Sequence, residues 1–494
     1  MNNLSVLNRN TGDFNKVRRA LIKLANIIDP NGETIQNDTF YDDVSESLER
    51  IANGYSSSSS VLPPVTSEDD GKVLVVADGE WTVGEGGDSG GDANADVLFY
   101  DYDGTIVAGY SAEDFAKLSA MPANPSHEGL VAQGWNWSLA DAKEHVALHR
   151  MLDIGQMYIT DDGKTRIYVY LPWEGSFCDI YFSMDEGCVV TIDWGDGTSD
   201  SYDDNDYPGS ATHEFSQYGY ITITISSTLQ IHFEGIGESI SPYIYKIELG
   251  SKLDFESEFG CLLNGLSYVK SITIPSYMTK IPPFKGAAMA LRFLCVPSQV
   301  TEIGDDLGLF ECEGLTAVSL PNSIVRIDCH DCFSECYNLK RLIIPDSVES
   351  IKHTDIFLEC RSLEHLVLSN NCTYELDGSQ SYIELGETHA LKTLQTALPF
   401  RLGSAPSLRE VTVLNGVDMF GFSIDGAGTY GCPPSFDVLK FTTSDPPELA
   451  TNIFEEPFGF ILPTTKILIP RGSLSAYQSA EFYPDPSIYT YEEY

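Results

Sequence analysis

The sequence predicts a multidomain, β-rich chain with four parts in order. They are a helical N-terminal anchor, a small α/β unit, an immunoglobulin-like β-sandwich and a C-terminal solenoid of leucine-rich repeats. Three observations carry this. The 494 residues exceed what one hydrophobic core usually supports. Alternating apolar and polar residues fill the middle of the chain. Beyond it, one motif returns every 24 residues, as at Leu315, Leu339 and Leu363. The boundaries read as 1–55 for the helical segment, 56–93 for a linker with a short module, 94–163 for the α/β unit, 164–236 for the sandwich and 237–494 for the solenoid with its cap.

In the first part, residues 14–28 have helical period. Val17, Leu21, Leu24 and Ile28 fall on one stripe, with Lys16, Arg18, Arg19 and Lys23 mostly off it. A second apolar series, Val44, Leu48 and Ile51, precedes Gly54. Two such helices could anchor the chain to a larger assembly or make it a homo-oligomer; equally, they could pack on each other. The serine run Ser56–Ser60 is a flexible linker signature, and five glycines among residues 84–91 make a second one. Between them, residues 61–81 read as a Pro-stiffened entry, an Asp-Gly turn, a short strand, a second Asp-Gly turn and Trp81. This stretch resembles a short module of phage head-fibre and tail-fibre proteins, which implies a virion protein.

The third part opens with the strand Val97-Leu-Phe-Tyr100. Ser111-Ala-Glu-Asp114 is a capping box for a helix through Leu118, and Ser138-Leu-Ala-Asp141 opens another to about Arg150. The segments Phe99–Thr105, Gly134–Trp137 and Ile154–Tyr158 resemble a domain of phage structural proteins. Residues 97–106 also match the first motif of haloacid-dehalogenase-type phosphatases. That match would make Asp101 a nucleophile and Asp103 an acid/base with Mg²⁺. No partner lysine or later acidic pair accompanies it, so a strand turn at Asp103-Gly104 is the preferred reading. His145 and His149 lie four apart on the helix, a spacing that can chelate zinc. With no third ligand evident, an exposed helix face is expected instead.

In the fourth part, Arg166–Leu171, Val189–Ile192 and Tyr220–Ile225 alternate as sandwich strands do. Val190-Thr-Ile-Asp-Trp-Gly-Asp-Gly-Thr198, followed by His213-Glu-Phe and Tyr218-Gly-Tyr, resembles the PKD-type immunoglobulin-like domain. That resemblance implies a spacer or a carbohydrate or protein contact module. Asp193 and Asp196 could hold Ca²⁺, although turn formation alone explains them.

In the last part, Leu315-Thr-Ala-Val-Ser-Leu-Pro321, Leu339-Lys-Arg-Leu-Ile-Ile-Pro345 and Leu363-Glu-His-Leu-Val-Leu-Ser369 are one unit. Each strand turns alternate apolar side chains inward, and only stacked rungs bury that face. Proline ends the strand because it donates no ladder bond. Cys312, Cys336 and Cys360 share one phase and should stack as small buried residues. Weaker rungs follow at Leu391, Leu408 and Phe436, and Lys466–Tyr477 reads as a last strand and capping helix. The pattern resembles the BspA-type leucine-rich repeats of bacterial surface antigens, which typically bind proteins or glycans.

Within each rung the residues between the apolar ones point out of the sheet. The columns Ala317, Arg341, His365 and Ser319, Ile343, Val367 are therefore the candidate ligand face, with Ile343 beside Val367 as an apolar patch. Strand propensity alone is the competing explanation. The formal net charge of −44 argues against nucleic acid and anionic lipid as partners. No stretch approaches the roughly 20 apolar residues that span a bilayer, so membrane insertion is not expected. The start lacks the apolar core of a secretory signal, and the eleven cysteines read as reduced core residues. No cofactor and no bound metal are expected.

The leading expectation is a non-enzymatic phage fibre on the virion surface, on the head in preference to the tail. Its N-terminus would contact capsid or tail proteins, and its C-terminal half would bind host glycan or protein. A bacterial surface adhesin is the second class, and a phosphatase the third.

Overall fold

The computed structural model describes strands 73–77 and 80–84, residues 92–205, 209–237 and 239–255, and the strands and most turns between 266 and 494. In the last region the larger omissions are 282–289, 305–308, 375–382, 415–418, 425–436, 450–462 and 481–486. Val17, Leu21, Leu24 and Ile28 lie outside the described residues.

The chain divides into units 1–89 and 90–494. In the first unit, β1 (Val73–Ala77) pairs antiparallel with β2 (Glu80–Gly84), Val73 opposite Gly84.

The second unit begins with a four-stranded sheet. Its strands are β3 (Val97–Tyr100), β4 (Ile106–Tyr110), β5 (Leu130–Trp135) and β6 (Leu152–Thr160), in the order β4-β3-β6-β5. Helix α1 (Ala112–Ala116) starts at Ser111, whose hydroxyl accepts from the Asp114 amide; α2 (Leu139–His149) starts at Ser138 in the same way. Both capping serines are those read from the sequence. α2 stops at Arg150, where the backbone turns left-handed at φ 67°. β3 is buried on both faces, and so is β6 apart from Ile159 near its end. Two-sided burial means a second layer lies across this sheet from the helices.

The sandwich comprises β7 (Thr165–Leu171), β8 (Ser176–Met184), β9 (Val189–Asp193), β10 (Ser199–Asp203), β11 (Ala211–Phe215), β12 (Gly219–Ser227) and β13 (Ile231–Ile236). The alternation seen in the sequence sends Ile167, Val169, Ile221 and Ile223 into the core. The strands named from alternation omit β8, β10 and β13, and β11 is represented only by His213-Glu-Phe215; β8 is nonetheless an alternating strand, with Phe177, Asp179 and Tyr181 outward.

The sheets do not end with the sandwich. β14 (Ile244–Glu248) pairs antiparallel with β7 and parallel with β16 (Ser271–Thr273); β15 (Leu253–Phe255) pairs parallel with β13. The first rungs thus extend both sandwich sheets, and one continuous core runs from Ile167 to Tyr477. The sandwich closes the apolar end that a first rung would otherwise expose.

Beyond that point parallel strands stack. Phe293 pairs with Ala317, Leu342 with Leu366, Leu366 with Leu394, Leu394 with Val411, Val411 with Leu439 and Leu439 with Ile467. A second parallel sheet aligns Glu302, Arg326, Ser350 and Thr373. Cys312, Cys336 and Cys360 are buried, each later thiol donating to a carbonyl one rung back, Leu309 O at 3.2 Å and Phe333 O at 3.1 Å. Phe333 and Phe357 stack beside them at 6.3 Å. Glu335 and Glu359, one repeat apart, both adopt positive φ, so the turn recurs with its strain. Leu391 and Leu408 are buried rungs, while Phe436 lies outside the described residues. Helix α3 (Leu474–Ser479) buries Tyr477, and a final strand Thr490–Glu493, not foreseen, adds to Lys466–Ile469.

Candidate binding surfaces

The two columns proposed as a ligand face do leave the solenoid sheet outward, but apart from the part-exposed His365 they do not meet solvent. The α/β sheet lies on them. Ala317 shares a cluster with Leu98, Tyr100, Met157 and Phe293, while Ile343 and Val367 share one with Val97, Phe99, Trp137, Val146 and Ile154. The Ser319 hydroxyl lies 2.7 Å from Asp153 O and 3.0 Å from Asn136 Oδ1, two acceptors that share its one hydrogen. Asn136 in turn donates to Val296 O and Ser319 O, and the Trp137 indole donates to Leu320 O at 2.8 Å. Arg341 donates to Ala95 O at 2.7 Å and Asp96 O at 2.6 Å, and its guanidinium lies 3.2 Å from Asp153. His365 is half-buried, with Nδ1 on Thr393 Oγ1 and its acidity raised mainly by burial. The apolar patch was real, but its partner is in the same chain. Alternation fixed the direction of these side chains and could not reveal the cover.

Burial also decides the charges here. Asp153 has no solvent, and burial pushes its carboxyl up to about 6 despite Arg341. Gly155 allows the close approach: a Cβ there would sit 2.5 Å from Cys295 Sγ.

The other sequence candidates fall as follows. Asp101 and Asp103 shape a hairpin between β3 and β4, which run antiparallel. Asp101 N donates to Thr105 O, Asp103 Oδ1 accepts from Thr105 N, and Asp101 Oδ2 lies 2.7 Å from His127 Nε2. The strand-turn reading fits this arrangement. Asp196 accepts from both the Thr198 amide and hydroxyl and meets His213 at 2.8 Å, while Asp193 caps Gly195 N. Gly195 has φ 78°, and a Cβ would lie 2.4 Å from Thr222 O, so the Trp-Gly-Asp-Gly-Thr turn requires it. His145 and His149 are not on an exposed helix face; both are buried between α2 and the solenoid, which α2 helps to cover.

Among the described residues, two exposed surfaces bear on binding. The solenoid sheet continues past the docked unit, with Glu410, Lys466 and Glu492 exposed along it and Lys466 3.2 Å from Glu492. The other is a row of rings on the outer face of the sandwich. Tyr170 of β7 lies opposite Tyr220 of β12, ring centroids 5.0 Å apart. Tyr245 follows at 5.6 Å from Tyr220, and Tyr168 at 6.1 Å from Tyr245. Lys246 sits over Tyr168 at 5.1 Å and over Tyr102 of the α/β unit at 5.6 Å. Glu248 pairs with Lys246 and accepts from the Tyr168 hydroxyl. Tyr220 is 75% exposed and Tyr170 42%; Tyr218 and Trp173 are exposed as well, Trp173 with its ring 6.1 Å from that of Tyr243. The sequence signal was present in Tyr168, Tyr170, Tyr218 and Tyr220 at alternating positions. It was read only as strand alternation.

Stacked parallel rungs, inward leucines and a capped end define a leucine-rich-repeat scaffold. Residues 260–379 match the BspA-type leucine-rich repeat region in six copies. Among solved structures the chain is similar to a leucine-rich repeat protein from Bacteroides ovatus ATCC 8483. That likeness has 18% identity and a TM-score of 0.31, covering 49% of this chain and 67% of that one. No curated protein matches the chain.

Proposed function

We propose that the chain is an adhesin-like surface-recognition protein whose BspA-type repeats form a rigid stem and whose tyrosine row contacts a neutral glycan. The exposed row Tyr170–Tyr220 carries this reading. Flat, half-wet rings offer apolar faces for stacking with hydroxyls at their edges, and they lose little conformational entropy on binding. Lys246, Glu248 and Tyr168 supply hydrogen-bonding groups beside them. The net charge of −44 disfavours anionic sugars. The PKD-like reading of residues 164–236 agrees with a contact role. No catalytic step is required of any residue described.

The test is binding of the intact chain to immobilised neutral glycans and to host surface proteins. Wild type should retain neutral glycan, and Tyr170→Ala/Tyr220→Ala should lose it at least tenfold. Undiminished glycan binding by that variant, or binding to protein alone, would overturn the assignment.

A second reading places the same surface on a phage virion, with a head site ahead of a tail site. It is favoured by residues 61–81, whose β1 and β2 form a hairpin, and by the phage-like segments of the α/β unit. Deleting residues 1–55 should then abolish incorporation into particles. Recovery of the chain in cell walls without particles favours the bacterial adhesin.

A further inference from the structure

The interface between α2 and the solenoid holds a polar cluster that the recognition reading does not use. His145 and His149 face one another with ring centroids 4.5 Å apart. Asp346, just past the strand Arg341–Ile343, reaches the same point. One ligand atom from each of the three lies within 4.8 Å of the other two.

The hydrogen bonds around His149 present a puzzle. Gln395 Nε2 donates to His149 O at 2.9 Å, which fixes the amide so that its oxygen faces His149 Nδ1 at 3.1 Å. On the other side Nε2 faces both oxygens of Asp346, at 2.9 and 3.1 Å. Both ring nitrogens therefore point at acceptors. The ring must carry two hydrogens, or one hydrogen and a metal ion. His145 is the second half of the puzzle. It is 3% exposed, and neither ring nitrogen makes a hydrogen bond of normal geometry. A buried imidazole whose ring nitrogens are left this poorly satisfied requires an explanation.

We infer that His145, His149 and Asp346 form a site for a borderline divalent cation such as Zn²⁺, which ties α2 to the repeat scaffold. Two imidazoles and a carboxylate are a common zinc donor set. At bond lengths of about 2.0–2.1 Å, tetrahedral ligands stand about 3.3 Å apart. The three donors are thus within about 1.5 Å of that spacing, a shift that side-chain rotation supplies. His149 would ligate through Nε2 while Nδ1 donates to Gln395, the usual outer-shell arrangement that fixes ring orientation. Asp346 is held by the Asn370 amide at 2.7 Å. The fourth position falls to water on the side of Asp346, the part of the cluster that reaches solvent.

The experiment is titration of chelator-stripped, reduced, full-length chain with Zn²⁺ against a competing chromophoric chelator. Co²⁺ then serves as a spectroscopic probe. Wild type should bind one equivalent, and Co²⁺ should give the visible d–d bands of a four-coordinate ion without thiolate charge transfer. His145→Phe, which keeps the packing against Trp137, and Asp346→Asn should each abolish that equivalent. Gln395→Leu should weaken it about 10–100-fold. Thiolate bands, binding unchanged in His145→Phe and Asp346→Asn, or no Zn²⁺ held against the chelator would each overturn the site.

Discussion

Replacing Arg341 with Met tests the covered face where its energetics are sharpest. In the folded chain Asp153 is fully buried and pushed up to about 6 from an ordinary value of 3.8. At about 1.36 kcal/mol per unit, that shift is about 3 kcal/mol against the ionised form. The sign follows from proton uptake. Between pH 4 and 6 the Asp153 carboxyl is more protonated in the folded state than in the unfolded chain. This contribution to stability therefore falls as pH rises through that window and is level above it. Arg341 offsets part of the cost and also satisfies Ala95 O and Asp96 O. Removing it leaves a buried carboxylate alone, which typically costs about 3–5 kcal/mol. Urea unfolding followed by tryptophan fluorescence should show that loss at pH 7.5. The loss should be smaller by at least about 1 kcal/mol at pH 4.5, where Asp153 is already protonated. Adding Asp153→Asn should recover stability at pH 7.5. A cost independent of pH, or no recovery in the double variant, would refute the argument.

Three further predictions follow from packing. Gly155→Ala should destabilise docking of the α/β unit by about 1–3 kcal/mol, because its Cβ meets Cys295 Sγ at 2.5 Å; Cys295→Gly in the same chain should relieve it, measured as recovered melting temperature. Gly195→Ala forces positive φ and a backbone clash at Thr222 O, so the sandwich should lose at least about 2 kcal/mol, seen as faster amide exchange in β12. Leu366→Ala opens a cavity in a fully buried rung and should cost about 2–5 kcal/mol by denaturant unfolding.

Much of this architecture is local and was therefore legible. The 24-residue period, the proline stops and the cysteine column are properties of one rung repeated, and neighbouring rungs make most of the contacts. The two helix starts were legible because Ser111 and Ser138 act on amides three residues away. Long-range events were not. Nothing local in Arg341 or Ser319 says that Ala95, Asp96, Asn136 and Asp153, some 160–250 residues earlier, will cover them. The same docking hid Asp346 as a neighbour of His145 and His149, so the pair looked like an exposed helix face. The extension of the sandwich sheets into the first rungs was missed too. It depends on β7 pairing with β14 across 80 residues, as Tyr168 meeting Glu248 shows.

The docking of the α/β sheet closes the solenoid face around Ala317, Ser319, Arg341, Ile343 and Val367 with residues of the same chain. Incorporation of 5-fluorotryptophan tests it most directly. Trp137 is buried in the docked interface with its indole on Leu320 O, whereas Trp173 is 55% exposed. The Trp173 resonance should show a solvent isotope shift in H₂O against D₂O and the Trp137 resonance none. A Trp137 shift as large as that of Trp173 would mean the face is open, and would contradict it.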